Sequence, residues 1–229
     1  MNIRRATLKN CGIATTDTVV VIDVLRAFTT AAYAFNAGAK ELILVSSIEE
    51  AFMLKETMPQ VHLLGEENGL PIRGFDFGNS PSELVGEDLS EMVLVQRTSA
   101  GTQGVAKTKQ AKRTLTTGLC NATATVNYLK RFQIDELLLV ETGVSDDGGG
   151  ADDVVCADFI EALILNRTID ENEIVQRVRQ APASLKFTDK SLDSFPLDDL
   201  ECAVQIDRFD FVMEVTRVNG LNVLRKVTR

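Results

Sequence analysis

The residues best suited to chemistry in this sequence follow predicted strands. Asp23 ends the β-branched apolar run that begins at Thr18, and Arg26 comes three residues later, where a helix is predicted to start. A carboxylate in this place can hold magnesium, and a guanidinium can form paired hydrogen bonds with an anion. The alternative is structural: Asp23 caps the helix and Arg26 lies on its solvated face.

A second candidate is the loop of residues 65–81, which follows the third predicted strand and contains four glycines. Glu66 and Asp76 offer hard oxygen ligands for a metal ion, while Asn79 and Ser80 offer hydrogen-bond donors. Glycine allows the backbone to approach a ligand closely, and such loops often carry binding residues. We interpret the segment as a binding loop, with a structural loop carrying solvated acids as the alternative.

A third candidate begins at Arg97, follows the fourth predicted strand and opens a helix. Its hydroxyl groups belong to Thr98, Ser99 and Thr102, and the N–H groups of Gly101 and Thr102 stand at the predicted helix start. The first N–H groups of a helix suit an oxyanion, so the segment predicts a phosphate or sulfonate site. The lysine-containing G-x-x-x-x-G-K-[ST] motif is absent, and a simple capped helix start remains open.

Acidic and glycine residues fill the segment 143–153, after the sixth predicted strand. It carries four carboxylates, and we expect either a mobile lid or a loop beside a metal, with a solvated acidic connection as the alternative. Neither the single histidine, His62, nor the four cysteines suggest a site, because His62 lies in an apolar strand and no Cys-x-x-Cys pair occurs.

Composition excludes several classes of protein. A formal charge of −9 and an isoelectric point near 4.8, without a basic block, oppose general binding to nucleic acid or anionic lipid. No apolar run is long enough for a membrane span, and no signal-like apolar segment follows Arg4 and Arg5. We expect a cytoplasmic protein with a single domain over residues 1–229, and leave a homodimer open.

Alternating patterns predict an α/β fold, specifically three α/β/α layers around a largely parallel or mixed sheet. Phe211 to Val218 and Leu221 to Val227 flank Asn219-Gly220, which predicts a C-terminal β-hairpin at an antiparallel edge. The other predicted strands are residues 18–23, 41–45, 61–64, 92–96, 113–117 and 136–140. The predicted helices are residues 26–37, 47–58, 82–85, 104–112, 121–131 and 152–166.

A weak internal similarity appears at a shift of 95 residues. It places residues 118–140 over residues 23–45 without a gap, and pairs Tyr33 with Tyr128 and Thr30 with Thr125. Two similar halves from a duplication would produce this match, and so would chance similarity between two ordinary β-α-β units.

Five segments together, spread in order from about residue 19 to residue 212, resemble the 2-phosphosulfolactate phosphatase family. The most specific is Gly74-Phe75-Asp76-Phe77-Gly78-Asn79-Ser80-Pro81, preceded by Gly65-Glu66. The others are Val21 to Ala27, Gly101-Thr102, Asn121-Ala122, and Asp153 with Cys156-Ala157.

The resemblance implies a magnesium-dependent phosphatase of coenzyme M biosynthesis with a three-layer α/β/α fold, acting on a phosphorylated, sulfonated hydroxy acid. It also implies that Asn121 and Asp153 join the residues named above around metal and substrate. Two departures from the family pattern remove an amide and a cation, at Ala100 and in Glu67-Asn68-Gly69. Arg73 or Arg97 would then have to supply the missing positive charge.

These observations predict hydrolysis of the phosphate ester of a small anionic hydroxy acid, with Mg²⁺ as cofactor. Asp23, Arg26 and Glu66 are the candidate catalytic residues, and the candidate metal ligands are Asp23, Glu66, Asp76 and Asp153. The candidate substrate-binding residues are Arg26, Asn79, Ser80, Arg97, Thr98, Ser99, Gly101, Thr102 and Asn121. A non-catalytic sensor or carrier that binds the same anion is the alternative.

Overall fold

The computed structural model describes residues 1–13, 16–145 and 149–228 as an α/β fold, which confirms the predicted class. The strands are β1 Asn2–Thr7, β2 Thr18–Ile22, β3 Glu41–Val45, β4 His62–Glu67, β5 Leu70–Pro71, β6 Val93–Arg97, β7 Arg113–Thr117, β8 Glu136–Glu141, β9 Val212–Val218 and β10 Leu221–Val227. The α-helices are α1 Ala27–Asn36, α2 Ile48–Thr57, α3 Gly101–Lys107, α4 Ala122–Leu129, α5 Ala151–Ile164, α6 Glu171–Arg179, α7 Leu185–Thr188 and α8 Leu197–Ala203.

The described strands form one mixed ten-stranded sheet in the order β1-β8-β2-β7-β9-β10-β3-β6-β4-β5. β9 and β10 pair as the predicted antiparallel hairpin. The predicted position at an edge was wrong, since β9 pairs with β7 and β10 pairs with β3 in the middle of the sheet. An Asn-Gly turn between alternating segments determines the hairpin but not the strands beside it.

The sheet is strongly coiled. Three antiparallel pairings separate β7 from β3, so β3, β4 and β6 run against β2, β7 and β8 along the ladder. In an untwisted sheet the loops after β2 and β6 would therefore lie at opposite ends. Instead Gln96, in β6, donates a 2.9 Å hydrogen bond to the carbonyl oxygen of Ala27, just after β2. Accumulated strand twist brings the two ends together.

Helix α1 lies in the concave face of this sheet. All nine residues from Ala27 to Phe35 are buried, which means that the helix is covered on every side. Its apolar cluster also contains side chains from β2, β3, β4, β6, β8, β9 and β10. Helices α2, α4 and α5 pack on the opposite face, which confirms helices on both sides of the sheet. The N-terminus of α1 is consequently fixed where several strand ends meet.

The two segments related by the 95-residue shift match element by element. β7, α4 and β8 begin 95 residues after β2, α1 and β3 respectively. Their places in the sheet differ, because β3 lies beyond the hairpin on one side of β2 while β8 lies on the other side of it.

The sequence patterns missed β1 and the helices α6 to α8. β1 is mostly exposed, so it lacks the apolar alternation that marks a half-buried strand. Within the described residues, no helix combines the length and apolar character that crossing a bilayer requires.

Candidate active site

A two-lobed cleft lies where the ends of β2, β4 and β6 meet the start of α5. One lobe, here the amide lobe, has a volume of about 190 Å³ and is lined by Asn79 and Ser99 among others. The second, here the acidic lobe, has a volume of about 370 Å³ and is lined by Asp152 and Asp153 among others. The residues common to both lobes are Asp23, Leu25, Ala100, Ala183 and Lys186.

Asp23 is buried at the junction of the lobes. Its Oδ1 accepts a hydrogen bond from the Ala27 N–H (2.9 Å), and its Oδ2 accepts one from the Thr142 hydroxyl (3.2 Å). Burial, together with the charges of Asp152 and Glu66, raises the pKa of the Asp23 carboxyl to about 7, against the opposing effect of the Ala27 hydrogen bond. No cationic side chain among the described residues forms a salt bridge with Asp23, so its charge is left uncompensated by the protein.

Two adjacent carboxylates, Asp152 and Asp153, begin α5 and are buried beside the end of β2. Asp152 accepts a hydrogen bond from the N–H of Leu25 (3.1 Å), and Asp153 accepts one from the N–H of Val24 (2.9 Å). Burial raises the pKa of Asp152 to about 6 and that of Asp153 well above its ordinary value. Sequence reasoning selected Asp153 alone, although the Asp-Asp pair at a predicted helix start was a signal for both.

Glu66 connects two of the cleft loops. Its Oε1 accepts a hydrogen bond from the N–H of Ser99 (2.6 Å), and its Oε2 accepts bonds from the Ser99 hydroxyl (3.1 Å) and the Gly69 N–H (2.5 Å). Glu66 and Ser99 both line the amide lobe beside Asp23, so the structure brings these three predicted residues together. The carboxylate of Glu66 thereby fixes the loops after β4 and β6 against each other.

Arg26 is buried at the base of the amide lobe. Its Nη1 donates to Asp199 (2.8 Å) and to the carbonyl oxygen of Ser194 (2.9 Å), and its Nη2 donates to the carbonyl oxygen of Gly69 (2.9 Å). Its guanidinium also lies 4.9 Å from the Phe195 ring centroid. Both terminal nitrogens are therefore engaged inside the protein, and in this conformation Arg26 organises the wall of the lobe.

Asn79 and Ser80 have different surroundings although they are adjacent. Asn79 lines the amide lobe, and its buried Oδ1 has no hydrogen-bond partner among the described residues. Ser80 instead donates from its hydroxyl to Asp199 (2.7 Å), which also accepts bonds from Ser82. An unpaired buried amide is costly unless a ligand or water satisfies it. Asn79 thus keeps an unpaired carbonyl oxygen in this lobe, whereas Ser80 stabilises the frame of the lobe.

The start of α3 is capped by the protein itself. The Thr102 N–H donates to Thr98 Oγ1 (3.0 Å), and the Thr102 hydroxyl donates to the Thr98 carbonyl oxygen (2.9 Å). The prediction of a free Thr102 N–H for an oxyanion was therefore wrong. Gly101 has a packing role, since a methyl group there would lie 2.8 Å from Asp23 Oδ2 and 2.7 Å from Ala27 Cβ.

Asp76 lies apart from the other predicted metal ligands. Its Oδ2 accepts a hydrogen bond from the N–H of Leu63 (2.7 Å) and lies 3.8 Å from Lys55 Nζ. Leu63 is near the start of β4 and Glu66 is near its end, a separation of roughly 10 Å along an extended strand. The prediction that Asp76 approaches Asp23 was wrong, because this carboxylate closes its own loop onto the strand.

Asn121 and Arg97, which were also predicted to bind substrate, do not line either lobe. Asn121 is fully buried, and its amide accepts a bond from the Thr117 hydroxyl (2.9 Å) and donates one to the Phe211 carbonyl oxygen (3.3 Å). Arg97 donates from Nη1 to the Glu66 carbonyl oxygen (2.7 Å). In this structure Asn121 stabilises the turn after β7 and Arg97 supports the loop after β4, so neither is placed in the cleft lining, and their contact with substrate stays a prediction.

Sequence reasoning missed Lys186, which extends from α7 and lines both lobes. No family motif or strand-end position drew attention to it. Of the predicted lid, Asp146 and Asp147 lie outside the described residues. Within the described ranges, no three Asp, Glu, His or Cys side chains are arranged to hold a metal ion by themselves.

The chain is similar to proteins of one known family. The family model described as 2-phosphosulpholactate phosphatase matches residues 5–217. A Bacillus subtilis protein named "Probable 2-phosphosulfolactate phosphatase" is 34% identical over 216 residues, which cover 94% of each chain. Proteins of the same name from Deinococcus radiodurans and Carboxydothermus hydrogenoformans are 39% and 38% identical over 150 and 146 residues. These matches cover 65% and 64% of this chain, and 62% and 60% of the relatives. The chain belongs to the 2-phosphosulpholactate phosphatase family.

Proposed function

We propose that this protein hydrolyses the phosphate ester of 2-phosphosulfolactate, or of a closely related anionic hydroxy acid, with magnesium as cofactor. Family membership supports a phosphoric monoester hydrolase. The cluster of buried carboxylates around Asp23 is the structural observation that carries the proposal, because a bound cation would compensate this buried negative charge.

The carboxylates fit a magnesium ion by their chemistry. Asp23, Asp152 and Asp153 are each at most 5% exposed, and their raised pKa values report the cost of keeping negative charge there. Magnesium prefers oxygen ligands and commonly uses one or two carboxylates, with water and substrate phosphate completing its shell. The lack of a three-residue cluster is therefore compatible with magnesium.

Asp23 and Asp152 are the residues that we propose to hold the ion. Both line the acidic lobe, and Asp23 reaches the junction with the amide lobe. When bound, magnesium supplies charge neutralisation for the phosphoryl oxygens and lowers the pKa of a coordinated water. Asp153, whose carboxylate bonds to the N–H groups of Val24 and Gly143, holds the turn after β2 in place.

The amide lobe would hold the rest of the substrate. Asn79 can donate from its amide nitrogen to an acid oxygen of the substrate, and its unpaired Oδ1 can accept from water or from the hydroxyl that hydrolysis creates on the product. Glu66 acts by keeping Ser99 and Ala100 against this lobe. Catalysis of phosphoryl transfer depends largely on positioning and charge stabilisation, which such a rigid frame supplies.

A phosphate-release assay with product identification tests this function. We expect the purified protein to release phosphate from 2-phosphosulfolactate with magnesium, to lose this activity with a chelator, and to form sulfolactate detectable by NMR. Binding of 2-phosphosulfolactate without any phosphate release would favour the sensor alternative. Release from unrelated phosphate esters at equal kcat/KM would refute the proposed substrate class.

A further inference from the structure

Lys186 is the cation of the cleft lining that lacks an acidic partner among the described residues. The other cationic side chain that lines either lobe, Arg26, is neutralised by Asp199 at 2.8 Å. Lys186 is exposed, and its Nζ lies 5.5 Å from the centroid of the Phe195 ring. Its ammonium group is thus available to a ligand.

Lys186 lines both lobes of the cleft. It lies at the junction of the lobes, where it shares the lining with Asp23 and Ala183. The buried carboxylates Asp152 and Asp153 line the acidic lobe alone. A phosphoryl group near these carboxylates would leave the remainder of the substrate to extend towards the exposed rim, where Lys186 stands.

We propose that Lys186 determines substrate specificity by binding an acid group other than the phosphate, either the sulfonate or the carboxylate of the substrate. The inference rests on the proposed function for the identity of the reaction. Its physical basis is charge: Asp23, Glu66, Asp152 and Asp153 repel a substrate with several negative charges. An uncommitted ammonium at the rim offsets part of this repulsion.

Exposure of Lys186 determines which kinetic constant responds. A flexible, solvated ammonium contributes little to preorganised stabilisation of the transferring phosphoryl group, which needs fixed groups in a water-excluded site. It stabilises ground state and transition state equally through the distant acid group, and so lowers KM with little effect on kcat. The contribution weakens with ionic strength, because exposed charges are screened by salt.

Kinetics with two substrates test the inference. Lys186→Met removes the charge but keeps the aliphatic stem, Lys186→Arg keeps the charge, and Lys190→Met is the matched control at an exposed lysine on the following turn. We expect KM for 2-phosphosulfolactate to rise about fivefold in Lys186→Met, as for an exposed ion pair of moderate strength. KM for isopropyl phosphate, which lacks both the sulfonate and the carboxylate, should stay unchanged, as should both values in Lys190→Met. Lys186→Arg should restore most of the affinity.

A binding measurement separates failure of this inference from failure of the proposed function. Calorimetric titration with sulfolactate needs no turnover, and we expect its Kd to rise about fivefold in Lys186→Met and to lose this difference at high salt. An unchanged Kd would overturn the role of Lys186 even if the enzyme hydrolyses phosphosulfolactate. An equal loss of kcat/KM for both esters would also overturn it, by assigning Lys186 to the phosphate. Absence of phosphate release by the wild type would refute the proposed function alone.

Discussion

Asp23 combines three properties that rarely occur together: deep burial, an uncompensated charge and a place in an open cleft. Burial of a carboxylate is unfavourable unless a cation or several hydrogen bonds compensate it. Here two donors, the Ala27 N–H and the Thr142 hydroxyl, do so only in part, because the pKa remains raised to about 7. We interpret this incompletely compensated burial of the Asp23 carboxylate as a sign that the site binds a cation.

The raised pKa of Asp23 leads to a prediction about stability. Between its unfolded value of 3.8 and its folded value of about 7, the folded state binds more protons than the unfolded state. Stability therefore falls as pH rises through this window, by on the order of 1.4 kcal/mol for each pKa unit. Asp23→Asn removes this pH-dependent loss of stability. In the presence of a chelator, the melting temperature of the variant minus that of wild type should therefore be larger at pH 8 than at pH 4.

Thermal unfolding followed by circular dichroism at both pH values measures this difference. We expect several degrees, since about 1 kcal/mol changes the melting temperature of a chain of this size by roughly 2–4 °C. Magnesium should stabilise the wild type at pH 8 and have little effect on Asp23→Asn. An equal difference at both pH values would show that the Asp23 carboxylate is not destabilising in the fold.

At the residue level, sequence reasoning succeeded where a side chain stands directly at a strand end. Asp23 and Ser99 follow strands, Glu66 lies near the end of β4, and the three residues meet in the cleft as expected. It failed for Asp76, because the path of a long loop decides which end of β4 its acid reaches. Lys186 could not be found, since its contribution depends on where α7 packs and not on a local pattern.

The segment that joins β6 to α3 shows how an element can resemble an anion site while serving another role. Both the hydroxyl and the N–H of Thr102 bond to Thr98, and the two side chains are buried. The pairing fixes the first turn of α3, and Gly101 allows this turn to contact Asp23 and Ala27 closely. The element thus positions the cleft floor by packing.

This arrangement predicts that Thr102→Val lowers stability without affecting substrate binding. The variant retains shape but loses the hydroxyl that donates to the Thr98 carbonyl oxygen and accepts from the Thr98 N–H (3.0 Å). The buried Thr98 N–H is left unsatisfied, at a cost of about 1–3 kcal/mol. Denaturant titration should show this loss, while KM for 2-phosphosulfolactate remains within twofold of wild type. A large rise in KM with unchanged stability would restore the oxyanion role that the sequence suggested.

Element boundaries were largely predictable because local periodicity and turn residues determine them. β3 and β7 have the predicted bounds, and α1 differs from its predicted range by one residue at each end. The region from α6 to α8 was not predicted, although it supplies Lys186 and Phe195 to the cleft lining and Asp199 as the buried partner of Arg26. Helices α7 and α8 are too short to show the sustained apolar period on which such predictions depend. Helix α6 does bury Ile174 and Val178 at helical spacing, a signal that the sequence reasoning missed.

At the scale of the whole molecule, the C-terminal hairpin joins two groups of parallel strands. β9 pairs with β7 and β10 pairs with β3, so the sheet is continuous only through this hairpin. Strand order of this kind depends on long-range pairing, and residue periodicity contains no information about it. The coiling that brings the loops after β2 and β6 together depends on this order. The sequence could therefore indicate several residues of the cleft, but not which loops meet there.

A deletion of residues 212–229 tests the central position of the hairpin. We expect loss of cooperative thermal unfolding and of soluble expression, because β7 and β3 would both become open sheet edges with unpaired backbone groups. Deletion of residues 1–9 removes β1, an edge strand that pairs with β8 alone among the described strands, and should only lower the melting temperature. A folded, cooperative protein without the hairpin would contradict the described topology.

The central claim is that the Asp23 cleft is the catalytic site of a magnesium-dependent phosphatase. Its most direct test is the rate of phosphate release from saturating 2-phosphosulfolactate by wild type and Asp23→Asn, with magnesium and at matched circular dichroism spectra. We predict turnover by the wild type and a decrease of at least about 100-fold in the variant, equivalent to roughly 2.7 kcal/mol of lost transition-state stabilisation. Equal rates in the two folded proteins would contradict the claim and place the chemistry elsewhere.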